Sequence, residues 1–198
     1  MRHLLLATRN PHKTREFCEI LGPEFAVRDL SGEPDAPAIE ETGATFLENA
    51  ILKAVAISKR FPGLVVADDS GLEVDALGGA PGVFSARYAG TNATDTQNIA
   101  RLLGELSVLS DQRPFVARFR CVLAVATDGK LRNTVEGFIE GTVVDTPRGS
   151  LGFGYDPIFQ PAGFDQTLGE LPSDIKNMIS HRAEAIRALR SALSSGLT

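Results

Sequence analysis

Residues 62–90 read PGLVVADDSGLEVDALGGAPGVFSARYAG, and the first third of that stretch decides how its neighbours are read. Leu64-Val65-Val66-Ala67 is a short apolar run between Pro62-Gly63 and a glycine-rich segment, which is the pattern of a buried strand. The run goes straight into Asp68 and Asp69, followed by Ser70 and Gly71. An ionised carboxylate buried without a partner is costly, and two side by side also repel. Successive strand residues face opposite ways, so one carboxylate should face a site and the other support it. The expected counter-charge is a cation missing from the sequence.

Upstream of this strand, Thr45-Phe46-Leu47-Glu48 has the form of a capping box. It opens a helix that carries Lys53 and is stopped by Phe61-Pro62-Gly63. Before it lies a loop over residues 30–44, rich in Pro, Gly and acids and ending in Glu40-Glu41-Thr42-Gly43. The chain opens with HLLLAT (3–8), a buried strand, then RNPHKTREFCEILG (9–22). There Asn10 can cap a helix, Pro11 suits its first position, Phe17, Ile20 and Leu21 repeat at helical spacing, and Gly22 ends it.

Downstream, Thr94–Gln97 is a second capping-box pattern ahead of Ile99, Leu102, Leu103 and Leu106 on one helical face. From Phe115 to Val144 the texture is β, with Asp128-Gly129 as a hairpin turn between alternating runs. The end reads as a short helix over 173–179 and a longer one capped by Ser180, with Ala183, Ile186, Leu189 and Leu193 inward.

At 198 residues, 43% hydrophobic and 23% charged, the chain can bury one good core and is read as a single domain over 1–198. A net charge of -5 argues against a broad basic footprint for nucleic acid or an anionic membrane surface. No segment approaches membrane-spanning length. Cys18 and Cys121 lie in apolar-periodic segments without metal-ligand spacing and are read as reduced core residues, in keeping with a cytoplasmic protein.

Three cations stand where a helix dipole disfavours them: Lys13 in the first turn of the first helix, and His181 and Arg182 opening the last. A bound anion would ease each. The turn around Asn10, with Lys13 over it, forms such an anion seat. Acidic groups from separate segments (Glu40, Glu41, Asp68, Asp69), with no His or Cys among them, suit a hard cation such as Mg²⁺. Such an ion beside a phosphate seat would offset the carboxylates and assist a water.

Other chemistries find less support. GFGYDP (152–157) lacks the third glycine of a dinucleotide fingerprint, and no G-x-x-x-x-G-K-[ST] occurs. Asp69-Ser70-Gly71 suggests a serine nucleophile only faintly, since none of His3, His12 and His181 has an evident partner.

Five separated blocks in order then carry a resemblance: TRNPHK (8–13), EETGATFLENAILKA (40–54), ADDSGLEVDALGGAPGVFSARYAG (67–90), GFGYDPIF (152–159) and SHRAEAI (180–186). Together, from residue 4 to about 190, the chain resembles the inosine/xanthosine triphosphate pyrophosphatase family, enzymes that remove non-standard purine nucleotides. Arg9 stands where many members carry a small residue. The resemblance implies an α/β fold with an elongated central mixed β-sheet flanked by helices, in two lobes with the nucleotide cleft between them, and a homodimer. It implies Mg²⁺-dependent cleavage of ITP, dITP or XTP between the α and β phosphorus atoms.

Matched position by position, Thr8, Arg9, Asn10, Pro11, His12, Lys13 and Lys53 would hold the triphosphate. Glu41 and Asp69 would hold the metal, and Asp69 would take the proton of the attacking water. Asp68 would support it and Ser70 would touch substrate. Phe153, Gly154, Tyr155, Asp156, Lys176, His181 and Arg182 would form the base pocket. Two other readings are a related pyrophosphatase acting on pyrimidine nucleotides, which the SHR and FGYDPIF blocks disfavour, and a nucleotide-binding regulator without turnover.

Overall fold

The computed structural model describes residues 1–195, leaving aside the side chain of Ser110. Six strands form one mixed sheet in the order β2-β1-β3-β4-β5-β6. The strands are β1 (Arg2–Leu6), β2 (Phe25–Asp29), β3 (Leu64–Val74), β4 (Phe115–Thr127), β5 (Lys130–Val143) and β6 (Phe159–Pro161). β1 pairs in parallel with β2 and β3, whereas β6 runs antiparallel to β5. The helices are α1 (Pro11–Leu21), α2 (Phe46–Ser58), α3 (Asp95–Ser107), α4 (Ser173–Ile179) and α5 (His181–Ser194). None of the described helices is long and apolar enough to cross a membrane.

The described residues divide into two compact units, one of residues 1–69, 121–137 and 181–195, the other of residues 70–120 and 138–180. Each has its own core. In the first, Leu4, Leu6, Val66, Leu123 and Val125 of the sheet pack with Phe17 and Leu21 of α1 and with Ile186, Leu189 and Leu193 of α5. In the second, Leu72 and Val74 of β3 pack with Ile99, Leu102 and Leu106 of α3 and with Phe115, Ile158 and Phe159. Strands β3, β4 and β5 contribute residues to both units. β4 shows the difference in one strand: burial alternates over Phe115–Arg120, but Cys121–Ala126 is buried on both faces. A two-sided apolar run is what a strand covered on both faces requires.

The local signals act as expected. The Asn10 side chain accepts the His12 N–H at the start of α1, with Pro11 at its first position, and Gly22 ends it at a φ of 71°. Thr94 and Gln97 form a complete capping box on α3. At α2 the box is half made: Thr45 accepts the Glu48 N–H, but Glu48 reaches back to Ala44 N–H instead of Thr45. Asp128 and Gly129 both have positive φ, 51° and 73°, the signature of a type I′ hairpin between β4 and β5. Gly137 lets α5 lie close on β5, because a Cβ there would strike the His181 carbonyl and the Ala185 N–H.

Two sequence readings change. α2 ends at Ser58, three residues before Phe61. Cys18 is exposed while Cys121 is buried, since the inward face of α1 is set by Phe17 and Leu21 and turns Cys18 outward. β2 and β6, at the sheet edges, carry too little alternation to be read as strands.

Candidate active site

The paired aspartates sit where β3 leaves the first core, and their side chains go to different partners. Asp68 is 2% exposed and Asp69 6%. Asp68 Oδ1 accepts from Lys13 Nζ at 2.5 Å, and its Oδ2 accepts from Arg182 Nε at 2.7 Å and from the Cys121 thiol at 3.3 Å. Arg182 in turn donates from Nη1 to Glu16 Oε2 at 2.6 Å. Asp69 Oδ1 accepts from Lys53 Nζ at 2.7 Å, and the same ammonium donates to Glu41 Oε1 at 2.7 Å and to the Asp68 carbonyl at 2.9 Å. The two carboxylates thus take different partners: Asp68 pairs with Lys13 and Arg182, and Asp69 shares the Lys53 ammonium with Glu41.

Lys13, Lys53 and Arg182 of the chain itself supply counter-charge to these carboxylates. Lys13 and Arg182, ill placed at helix starts, are already answered by Asp68 and Glu16. Sequence alone did not place them because the pairs span 55 and 114 residues. Among the described residues Lys13, Lys53 and Arg182 tie Glu16, Glu41, Asp68 and Asp69 into two adjoining sets of ion pairs.

The electrostatics follow from these contacts. Burial alone would raise Asp68, but Arg182 and then Lys13 overcome it and hold its carboxyl well below the usual aspartate value. Burial raises Asp69, and Lys53 only partly offsets it. Burial would lower the Lys53 ammonium, but Asp69 and Glu41 hold it above the ordinary lysine value. Burial and the adjacent Asp68 charge push the Cys121 thiol well up, so it stays an S–H donor rather than a thiolate.

The turn before α1 is built from its own side chains. Thr8 Oγ1 accepts the Asn10 N–H at 3.1 Å, and Thr8 lines a cavity of about 250 Å³ that also touches Arg9, Lys53, Leu30 and Ile39. Pro11 and His12 are exposed at the helix start. Arg9 has a structural task. Its guanidinium donates to the Ala36 carbonyl at 2.8 Å, securing the loop that leads to Glu41.

The second unit gathers the other predicted residues. Asp156 Oδ2 accepts from Lys176 Nζ at 2.6 Å and from the Phe153 N–H at 2.9 Å, and Lys176 Nζ lies 4.8 Å from the Phe153 ring centroid. Gly154 N–H donates to Asp95 Oδ2 at 2.6 Å. Tyr155 is a core residue whose hydroxyl donates to the Ser85 carbonyl at 2.9 Å, so its ring serves packing. Ser70 lies half-buried on β3. His181 and Arg182 belong to the first unit and are buried, 4% and 1% exposed, and Arg182 is occupied with Asp68 and Glu16. Sequence reading missed Glu16, Cys121 and Asp95 as site supports. Only Glu16 left a signal, a charge one residue from the apolar stripe of α1.

Gly152 is needed where it stands. Its φ is 76°, and a Cβ would run into the Asp156 carboxylate. Gly152→Ala is expected to cost about 1–3 kcal/mol of stability through this strained backbone, read from urea denaturation. A midpoint equal to the parent's would show that the loop relaxes without penalty.

The sequence profile of the Ham1 family matches residues 4–192, and the chain belongs to the Ham1 family. A Bacillus subtilis protein named dITP/XTP pyrophosphatase is 50% identical over 196 residues, covering 98% of both chains. Among solved structures, a HAM1 protein from Coxiella burnetii matches with a TM-score of 0.88 at 42% identity, covering 99% of this chain and 100% of that one. The Staphylococcus aureus Ham1 protein matches with a TM-score of 0.85 at 40% identity, covering 98% and 99%.

Proposed function

We propose that the protein hydrolyses non-standard purine nucleoside triphosphates, XTP, dITP and ITP, to the monophosphate and pyrophosphate, and so clears them from the nucleotide pool. The observation that carries this reading is the Glu41–Lys53–Asp69 arrangement beside the Lys13–Asp68–Arg182 chain of ion pairs. The names of the B. subtilis and other bacterial relatives, dITP/XTP pyrophosphatase, support the substrate class.

In this reading Lys13, Lys53 and the N–H groups opening α1 bind the phosphate chain. Asp69 accepts the proton of the attacking water as the α–β anhydride P–O bond breaks and pyrophosphate leaves. Asp68, tied to Arg182 and Cys121, holds Lys13 in place.

The residues fit a magnesium ion. Among the described residues no three His, Cys, Asp or Glu side chains converge as a ready-made metal centre. Glu41 and Asp69 nevertheless present hard oxygens to one cation, Lys53 Nζ, and Mg²⁺ commonly takes one or two carboxylates plus phosphates and water. Glu41 and Asp69 would hold it. When bound, it neutralises developing phosphate charge and lowers the pKa of its water.

Phe153 offers a stacking face for the base, and Lys176, steadied by Asp156, a donor for the 6-oxo group of hypoxanthine or xanthine. Adenine carries an amino donor there, and a mismatch of that kind can discriminate by roughly 10⁴ or more. Lys176→Met is expected to raise KM for XTP by about 10–100-fold, with kcat changing less, because one charged hydrogen bond is lost. An unchanged KM would remove Lys176 from base recognition. The same reading includes a homodimer, which sedimentation velocity tests.

Incubation of the protein with XTP or dITP and Mg²⁺, followed by chromatography, decides the reaction. Monophosphate and pyrophosphate are expected. Diphosphate and orthophosphate would overturn the cleavage position, and faster turnover of UTP or dTTP would favour a pyrimidine substrate.

A further inference from the structure

Glu41 reaches Lys53 from a loop, and loops hold a carboxylate in place only if something fastens them. Here the fastening comes from α2. Asn49, 0% exposed, stands one helical turn before Lys53 and accepts the Gly43 N–H on its Oδ1 at 2.8 Å, two residues past Glu41. Glu48 accepts the Ala44 N–H at 2.6 Å, and Thr42 N–H donates to the Glu40 carbonyl at 3.1 Å. Gly43 fits tightly against this amide: a Cβ there would lie 2.7 Å from Asn49 Oδ1 and 2.7 Å from the Glu48 Cβ.

Asn49 is a poor choice for stability alone. Its Nδ2 is buried and has no hydrogen-bond partner among the described residues. A buried donor left unmade costs at least as much as the bond that Oδ1 does make contributes. The amide cannot simply be turned round, because the NH₂ group would then face the Gly43 N–H. What the residue secures is local: the path of the backbone from Glu41 to Gly43.

We propose that Asn49 is a positioning residue that, through the Gly43 N–H, fixes Glu41 for binding a divalent cation together with Asp69. The inference rests on the reading of Glu41 as a metal ligand. Groups that orient metal ligands without touching the metal typically change metal affinity by 10–100-fold when removed. Lys53, on the same helix, ties the loop and the strand to one frame, so a shift of Glu41 would separate the two carboxylates.

The test is Mn²⁺ binding, followed by the electron paramagnetic resonance signal of the free ion, in the presence of the α,β-methylene analogue of XTP. Asn49→Ala is expected to weaken Mn²⁺ by about tenfold or more, while binding of the analogue without metal and the thermal midpoint stay near the parent's. Gly43→Ala, which displaces the same amide from the loop side, should weaken Mn²⁺ likewise and guards against a folding defect in the first variant. Glu41→Gln is the control. If Glu41→Gln weakens Mn²⁺ and neither Asn49→Ala nor Gly43→Ala does, the positioning role is wrong and the ligand assignment stands. If Glu41→Gln leaves Mn²⁺ binding unchanged, the ligand assignment itself fails and the inference falls with it.

Discussion

Asp69→Asn should lower turnover of XTP by about 10³-fold, within the range a lost general base accounts for, while leaving the fold intact. The amide keeps the shape of the carboxylate and an acceptor for Lys53, and Lys53 retains Glu41 and the Asp68 carbonyl. Because burial already disfavours the ionised form of Asp69, replacing it relieves a cost in the folded state, and the variant should melt at or above the parent temperature. Single-turnover kinetics with XTP and a thermal melt read both halves. Turnover within a fewfold of the parent would place the base elsewhere in the cluster.

Arg182→Leu works in the opposite sense. The guanidinium is 2% exposed and lies between Asp68 and Glu16. Removing one member of a buried ion pair leaves uncompensated charge, with a loss of about 3–5 kcal/mol, measurable from chemical denaturation. The loss should depend on pH in a defined direction. Asp68 is held well below its ordinary value in the folded protein, so its contribution is complete above the unfolded pKa of about 3.9 and drains away as pH falls towards the folded value. The gap between variant and parent should therefore be widest near neutrality and narrow below about pH 4. A gap that stays constant into acid would mean that Arg182 stabilises by packing rather than by charge.

Much of this was legible in the sequence because it is local. Asn10, Pro11 and Gly22 mark α1, Thr94 and Gln97 mark α3, and Asp128-Gly129 marks the hairpin, each through hydrogen bonds or dihedrals within a few residues. The apolar run into Asp68-Asp69 marked the site for the same reason: two carboxylates at the end of a buried strand demand partners. Who those partners are was not legible. Lys13, Arg182, Cys121 and Glu16 meet Asp68 or one another only through tertiary structure, and a cation at a helix start reads equally well as a seat for an external anion. Arg9 and Asn49 were invisible as supports because each acts on a backbone group of a loop, and backbone acceptors and donors leave no mark on composition.

Arg182 lies 114 residues beyond the aspartate it balances. During synthesis the nascent chain thus carries Asp68 without its guanidinium until α5 has been made, and Lys13 alone cannot replace it. The first unit can close around its charges only once Arg182 has been made. Any product truncated before residue 181 should remain loose there, an easy substrate for proteolytic quality control.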